Sequence, residues 1–268
     1  MTAAPRRAGV LGSPIAHSRS PQLHLAAYRA LGLTGWTYDR IECTGEQLPV
    51  VVSGFGPEWV GVSVTMPGKI AALRFAEEAT PRARMIGAAN TLVRTQGGWH
   101  ADNTDVDGVV GALPGHRPAR AMVVGSGGTA PAAVVGLIEL GARHVTVAAR
   151  NPDKAAVLLD LAARCGAQAS FCDLADGLPA AVDGVEVLVN TVPADAVAPY
   201  APALAAVPVL LDAIYDPWPT PLAAAVGAAG GEVISGLQML LNQAFTQVEQ
   251  FTGQPAPKAA MRAALEAG

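Results

Sequence analysis

The sequence predicts an α/β fold in two domains, and three observations carry that prediction. Short, valine-rich apolar runs alternate with helix-like stretches along the chain, the pattern of parallel strands joined by helical crossovers. One run, Ala121-Met122-Val123-Val124, ends in the glycine turn Gly125-Ser126-Gly127-Gly128-Thr129-Ala130 and leads into a helical stretch that stops at Gly141. Just ahead of it, Pro114-Gly115-His116-Arg117-Pro118 punctuates the chain as a boundary does. The expected division is residues 1–105 plus 237–268 as one domain and 106–236 as the other. The cleft between them is the expected active site, since ligand pockets favour domain interfaces and the carboxyl ends of parallel strands. Thr104-Asp105 and Ser235-Gly236 are the expected crossing points.

Each element has its own signal. Ala8 to Leu11 reads as a strand, Pro21 to Leu31 as a helix and Thr37 to Ile41 as a strand. Val60 to Thr65 reads as a buried strand, with helical pattern from Gly68 through Phe75 and around Pro81 to Ile86. Asn90 to Val93 and Trp99 to Ala101, split by Gly97-Gly98, form a hairpin signal. Past the boundary, His144 to Ala149 is the second strand of a βαβ unit. Lys154 to Arg164 is a helix, and Gln168 to Phe171, Val185 to Asn190 and Pro208 to Asp212 are strands. Leu222 to Ala229 is a helix, Glu232 to Ile234 a short strand, and Leu237 to Phe251 a long helix of mixed apolar and amide character.

Composition bounds the function. The chain has 268 residues, 51% of them hydrophobic, and a formal charge of −4. That is ample for a core, and without a basic stripe it argues against nucleic acid as a partner. No apolar run has the length of a membrane span. No signal core follows the start Met1-Thr2-Ala3-Ala4-Pro5-Arg6-Arg7, so the cytoplasm is the expected compartment. Cys43, Cys165 and Cys172 are odd in number and lack metal-ligand spacing with histidines. Reduced thiols and no metal are expected. Small α/β oxidoreductases are often dimers, so a homodimer is a possible assembly, though no interface is marked.

The glycine turn points to a dinucleotide. Glycines let backbone N–H groups approach a diphosphate, and the helix start adds donors and a positive dipole end. Pro131 fits the first helical turn, where its missing N–H costs nothing. A unit that binds NAD carries an acid at the end of its second strand. Here Arg150 stands there, with Lys154 one turn on. A guanidinium pairs bidentately with phosphate, so the expectation is a Rossmann-like unit binding NADP through the 2′-phosphate. A solvated surface arginine is the plainer alternative, and Asp153 in the same turn is discordant.

Four polar clusters stand outside that unit. Gly12 to Pro21 contains His17, Ser18 and Ser20 between a strand and a helix, a natural carboxylate site. Ser20 before Pro21 also suits an ordinary N-cap. Ser63-Val64-Thr65-Met66-Pro67-Gly68-Lys69 places a lysine just past a buried strand, where a held ammonium can serve as acid or base. A solvated lysine at a helix start is the alternative. Ala88-Ala89-Asn90-Thr91 and Ala101-Asp102-Asn103-Thr104-Asp105 are also ordinary turn chemistry. A carboxylate near Lys69 would fix its position and tune its proton affinity.

Together these clusters resemble the shikimate dehydrogenase family. Seven of its motifs stand in order: Ser18/Ser20 after Pro14-Ile15-Ala16-His17, Val64 to Lys69, Asn90-Thr91, Asn103-Thr104-Asp105, Gly125 to Ala130, Asp212 to Pro221, and Gly236 to Gln243. The match runs from about residue 9 to 253. The resemblance implies an N-terminal α/β substrate domain, a Rossmann-like NADP-binding domain, and reversible reduction of 3-dehydroshikimate to shikimate by NADPH, a step toward chorismate and the aromatic amino acids. It implies that Ser18 and Ser20 bind the substrate carboxylate, that Thr65, Asn90, Tyr215 and Gln243 bind its edges and hydroxyls, and that Lys69 and Asp105, which also contact substrate, are the catalytic pair. The cofactor contacts it implies are Gly125, Ser126, Gly127, Gly128, Thr129, Ala130, Arg150 and Lys154, with Asn190, Thr191, Ala213 and Gly236 around the nicotinamide half.

Four positions depart from the family pattern. Leu25 stands where Asn usually follows His. Ser63 stands where Asn often precedes Val-Thr, and its shorter side chain calls for a water to carry the hydrogen bond. Ala149 replaces an Asn before the phosphate-binding Arg, and Pro131 replaces an Arg near the glycine turn. The last two thin the phosphate contacts. Three other readings compete: a shikimate/quinate dehydrogenase using NAD or both cofactors, a non-catalytic sensor of shikimate or quinate, and a folate-type dehydrogenase of similar layout. Arg150 and Lys154 argue against strict NAD use. A sensor should lack Lys69 or Asp105, or carry a basic extension. The Ser-x-Ser and Tyr215 clusters have no role in a folate enzyme.

Overall fold

Two six-stranded sheets organise residues 5–267, which are the residues the computed structural model describes. Residues 1–4 of the start considered above, and residue 268, lie outside them. The described chain falls into two units: one runs to Thr104 and resumes at Leu240, the other is Asp105–Met239.

The first unit has strands β1 (Arg6–Gly12), β2 (Trp36–Glu42), β3 (Trp59–Val64), β4 (Glu78–Ala79), β5 (Thr91–Thr95) and β6 (Gly98–Asp102). Their spatial order is β2-β1-β3-β5-β6-β4. β1 runs parallel to β2 and β3, while the β5–β6 hairpin enters antiparallel, so this sheet is mixed. One face packs Leu11, Leu48, Val52, Val62, Leu92 and Trp99 into a core. The helix Ser20–Ala30 buries Leu23, Ala27 and Tyr28 and packs against the last helix, Lys258–Glu266. Gln22 Nε2 donates to the Ala264 carbonyl across that contact. Gly61 has no side chain because a Cβ there would run into the Phe251 ring. That lets the helix Gly236–Thr252, whose residues from Leu240 belong to this unit, lie close on β3.

The second unit is an all-parallel sheet of β7 (Arg120–Val124), β8 (His144–Ala149), β9 (Gln168–Asp173), β10 (Val187–Asn190), β11 (Val209–Asp212) and β12 (Glu232–Ser235). The order β12-β11-β10-β7-β8-β9 is two βαβ halves diverging from β7, the doubly wound arrangement whose switch point lies at the carboxyl ends of the central strands. Its strands are nearly continuous apolar runs because both faces are covered: Met122, Val124, Leu188 and Leu210 meet Leu204, Leu222 and Val226 on one side.

Among the described residues no helix is long and apolar enough to cross a membrane, and no group of three or more His, Cys, Asp or Glu is placed to hold a metal. Cys43, Cys165 and Cys172 are free thiols, pushed up in pKa by burial.

Candidate active site

Topology brings the four polar clusters of the first unit to one sheet edge. β1 and β3 are parallel, so the segments after Gly12 and Val64 leave from the same edge. β5 is antiparallel to β3 and therefore starts there, and β6 is antiparallel to β5 and ends there. The register sets Ser63 opposite Thr91 and Thr91 opposite Asp102. Gly12 is required at this edge, since a Cβ would collide with the Thr65 side chain. The two loops are also tied by Ser13 N donating to the Met66 carbonyl at 3.0 Å.

The Ser-x-Ser loop is held from behind. The Ser18 carbonyl accepts Arg40 Nε and Nη2 at 2.9 and 2.7 Å, and the Ser18 hydroxyl oxygen accepts Ser20 N at 3.3 Å. Ser20 does not cap the helix, contrary to the plainer expectation. Arg19 occupies the cap position without a side-chain cap bond. Ser20 is instead buried.

Lys69 opens the helix Lys69–Phe75 and is half-buried. Its carbonyl accepts Ala89 N at 2.9 Å, which ties the lysine backbone to the Ala88–Asn90 segment. Asn90 is buried: its Oδ1 accepts Thr104 N and the Thr91 hydroxyl, both at 2.8 Å, and its Nδ2 donates to Gln243 Oε1 at 2.7 Å. Ser63 is hydrogen-bonded to two protein side chains. Tyr38 Oη donates to it at 2.7 Å, and it donates to Gln247 Oε1 at 2.8 Å. A glutamine from the helix Gly236–Thr252 thus supplies the acceptor for this shorter residue.

Asp102 anchors the Asn-Thr-Asp loop. Its carboxylate accepts Arg82 Nε and Nη2 at 2.7 Å each, the Thr80 hydroxyl at 2.7 Å, Gln250 Nε2 at 2.6 Å and Asn103 N at 2.7 Å. Burial alone would raise its pKa, but the Arg82 guanidinium and these donors outweigh it and hold the carboxyl below its usual range. Asn103 Nδ2 donates to the Ala88 carbonyl at 2.9 Å, so the loop closes on the Asn90 segment. Asp105 begins the helix Asp105–Ala112 of the second unit and is buried. Sequence reading missed Tyr38, His24, Gln247 and Gln250. Gln243, Gln247 and Gln250 recur at spacings of four and three, one face of a helix, and that was the available signal.

In the second unit the glycine turn is shaped for close backbone approach. Gly125 has φ +108°, and a Cβ there would lie 2.6 Å from both Thr191 Oγ1 and Val192 Cγ1. Gly127 is exposed with open space around the position of a Cβ. The helix Ala130–Glu139 follows, with Pro131 in its first turn. Arg150, directly after β8, and Lys154, in the first turn of the helix Pro152–Arg164, are exposed. Asn151 caps that helix, its Oδ1 accepting Lys154 N at 2.9 Å. A glycine-lined turn, a helix start and two cations beyond the second strand fit a dinucleotide bearing an extra phosphate.

The neighbouring strand ends are stitched together. Asn190 is buried, its Nδ2 donating to Asp212 Oδ1 at 2.9 Å and the Val192 carbonyl at 3.1 Å. The Thr191 hydroxyl donates to the Val124 carbonyl at 2.8 Å. Ala213 N donates to the Asn190 carbonyl at 2.9 Å, and a Cβ on Gly236 would collide with the Ala213 carbonyl. Asp212 also accepts the Thr220 hydroxyl at 2.5 Å, closing the loop that carries half-buried Tyr215. Burial raises the Asp212 carboxyl, with those donors opposing.

A family model described as the shikimate dehydrogenase substrate binding domain matches residues 10–92, and one described as the shikimate 5′-dehydrogenase C-terminal domain matches residues 236–266. The NADP(+) shikimate dehydrogenase of Methylobacterium radiotolerans is 39% identical over 273 residues, covering 96% of this chain and 95% of its own. The chain belongs to the shikimate dehydrogenase family. The crystal structure of Mycobacterium tuberculosis shikimate dehydrogenase matches with TM-score 0.96 at 70% identity, covering 98% of this chain and 100% of that one. That of the Thermus thermophilus shikimate 5-dehydrogenase, in complex with NADP(H) and shikimate, matches with TM-score 0.83 at 30% identity, covering 98% and 99%.

Proposed function

We propose that this chain catalyses the reversible NADPH-dependent reduction of 3-dehydroshikimate to shikimate, a step toward chorismate. The observation that carries the reading is the gathering of Ser18, Ser20, Thr65, Lys69, Asn90 and Gln243 along one edge of the first sheet. A polyhydroxylated ring acid needs several fixed hydrogen bonds and an anion site, and this edge offers them. In this reading the Ser18 and Ser20 hydroxyls donate to the ring carboxylate, while Thr65, Asn90, Tyr215 and Gln243 bind the ring edges and hydroxyls. NADPH, when bound, supplies the hydride. The ketone oxygen then gathers alkoxide charge, and the Lys69 ammonium stabilises that charge or donates the proton. Asp105 orients Lys69 and accepts a ring hydroxyl. We assign the cofactor to Gly125, Ser126, Gly127, Gly128, Thr129 and Ala130 for the diphosphate. Arg150 and Lys154 take the 2′-phosphate, and Thr191, Ala213, Gly236 and the Asn190 backbone lie around the nicotinamide.

The domain division this implies is a substrate domain of residues 1–105 plus 237–268 and an NADP domain of residues 106–236. Three free cysteines and a requirement for NADPH suit a reducing cytoplasm. A homodimer would sediment at twice the 27.2 kDa chain mass. The deciding experiment offers shikimate and quinate, each with NADP and with NAD. Oxidation of quinate, or use of NAD as the hydride acceptor, at a comparable rate would favour the broader shikimate/quinate reading. Shikimate binding without turnover would favour a sensor.

A further inference from the structure

Behind Asn90 and Gln243 lies a buried residue with no assigned role. Gln247 sits one helical turn past Gln243 and is 3% exposed. Its Oε1 accepts the Ser63 hydroxyl at 2.8 Å and lies 3.3 Å from His24 Nε2. Its Nε2 donates to Thr91 Oγ1 at 3.0 Å and to the Asn90 carbonyl at 3.4 Å. A primary amide has two donors and an oxygen that accepts twice, so every position is engaged. The amide orientation follows, because a carbonyl only accepts and the atom facing Asn90 O must be the nitrogen.

The consequences run outward one proton at a time. Thr91 Oγ1, having accepted from Gln247, gives its single proton to Asn90 Oδ1 at 2.8 Å. Asn90 Oδ1 also accepts the Thr104 backbone N–H at 2.8 Å, and a backbone N–H only donates. Asn90 Nδ2 is thereby turned to Gln243 Oε1, 2.7 Å away. With Oε1 of Gln243 used as the acceptor, its Nε2 is the amide atom left to meet a ligand.

We infer that Gln247 is a positioning residue: through Thr91, and together with the Thr104 backbone N–H, it fixes the orientation of the Asn90 and Gln243 amides, so that Asn90 Nδ2 is spent on Gln243 Oε1 and on the Thr104 hydroxyl at 3.0 Å and Gln243 Nε2 is the donor presented to an oxygen of the substrate. The inference rests on the substrate roles given to Asn90 and Gln243 above. It also explains how Ser63 is accommodated, since Gln247 supplies the partner that a longer residue at 63 would otherwise provide.

Gln247→Glu keeps the shape and the acceptor side toward Ser63 and His24 but puts an acceptor against Thr91. The Thr91 proton turns toward the new carboxylate and leaves Asn90 Oδ1. The expected result is a rise of about tenfold or more in KM for shikimate, with KM for NADP within about twofold of wild type. Thr91→Val cuts the same donation without adding charge and should give the same split. The double variant should be no worse than the poorer single by more than about twofold, because one path is cut twice. A merely structural role would lower thermal stability without splitting the two KM values. Shikimate KM within twofold of wild type in Gln247→Glu, or single effects that multiply in the double variant, would overturn the inference. If Gln247→Glu does not fold, Thr91→Val decides by the same twofold limit. Asn90→Ala separates the premises: an unchanged shikimate KM there removes the substrate role of Asn90. A raised KM there beside a normal Thr91→Val overturns only the relay.

Discussion

Replacing His24 by phenylalanine should flatten the acid limb of the stability curve. His24 is fully buried, stacked on Tyr38 at 4.1 Å and 16°, with Phe251 at 5.7 Å and Tyr28 at 6.1 Å. Burial in this aromatic box drives its pKa from 6.5 down to about 3, with the Gln247 hydrogen bond opposing. The folded chain therefore holds His24 neutral, while the unfolded chain takes up a proton below about pH 6.5. The stability at stake is fully present above pH 6.5, falls as pH drops toward 3, and changes no further below that. At pH 5 the loss is about 2 kcal/mol, from about 1.5 pH units at about 1.4 kcal/mol each. Tyr28 and Tyr38 are shifted upward by burial and do not titrate in this window. The assay is urea unfolding followed by tryptophan fluorescence, since Trp36, Trp59 and Trp99 all lie in the unit that holds His24. The lost Gln247 bond gives a pH-independent offset of about 1 kcal/mol. The stability of wild type minus that of the variant should therefore fall by about 2 kcal/mol, from about +1 kcal/mol at pH 7 to about −1 kcal/mol at pH 5. A gap that stays constant across that range refutes the argument that His24 is neutral in the fold.

Three further outcomes follow from the site. Lys69→Ala should lower kcat by roughly 10²–10⁴-fold with little change in shikimate affinity, and a variant within tenfold of wild type removes the lysine from the chemistry. Arg150→Ala should weaken NADPH binding far more than NADH binding in a fluorescence titration, and equal losses would reject the phosphate contact. Gly12→Ala should cost roughly 1–3 kcal/mol through the collision with Thr65, and should raise KM for shikimate more than KM for NADP. An unchanged melting temperature would contradict the close approach.

The elements were legible where one signal acts locally. The helix Pro81–Ile86 and strand His144–Ala149 begin and end where the sequence pattern put them. The hairpin Thr91–Asp102 and the helix after Gly125 also follow from apolar runs and glycines. The helix Leu48–Ser53 has no side-chain cap and runs through three β-branched valines, whereas Pro81–Ile86 is framed by the Thr80 cap and Gly87, and β4 is two residues paired with His100 and Ala101. The site clusters were readable as motifs, but the relation between them was not. Ser63 meets Gln247 across 184 positions of sequence, and Gln250 meets Asp102 across 148. Such contacts depend on which sheet edge each strand reaches, which periodicity does not encode. Ser20 was open to a capping role because its local context suits one, but Arg19 takes the cap position and Ser20 is buried.

The most direct test is the initial rate of nicotinamide reduction, read by absorbance, with shikimate and quinate each offered NADP and NAD. Turnover with shikimate and NADP, lost in Lys69→Ala and absent or far slower in the other three combinations, is the predicted result. No turnover with shikimate and NADP by a folded chain that binds both would contradict the assignment of this site to reversible reduction of 3-dehydroshikimate.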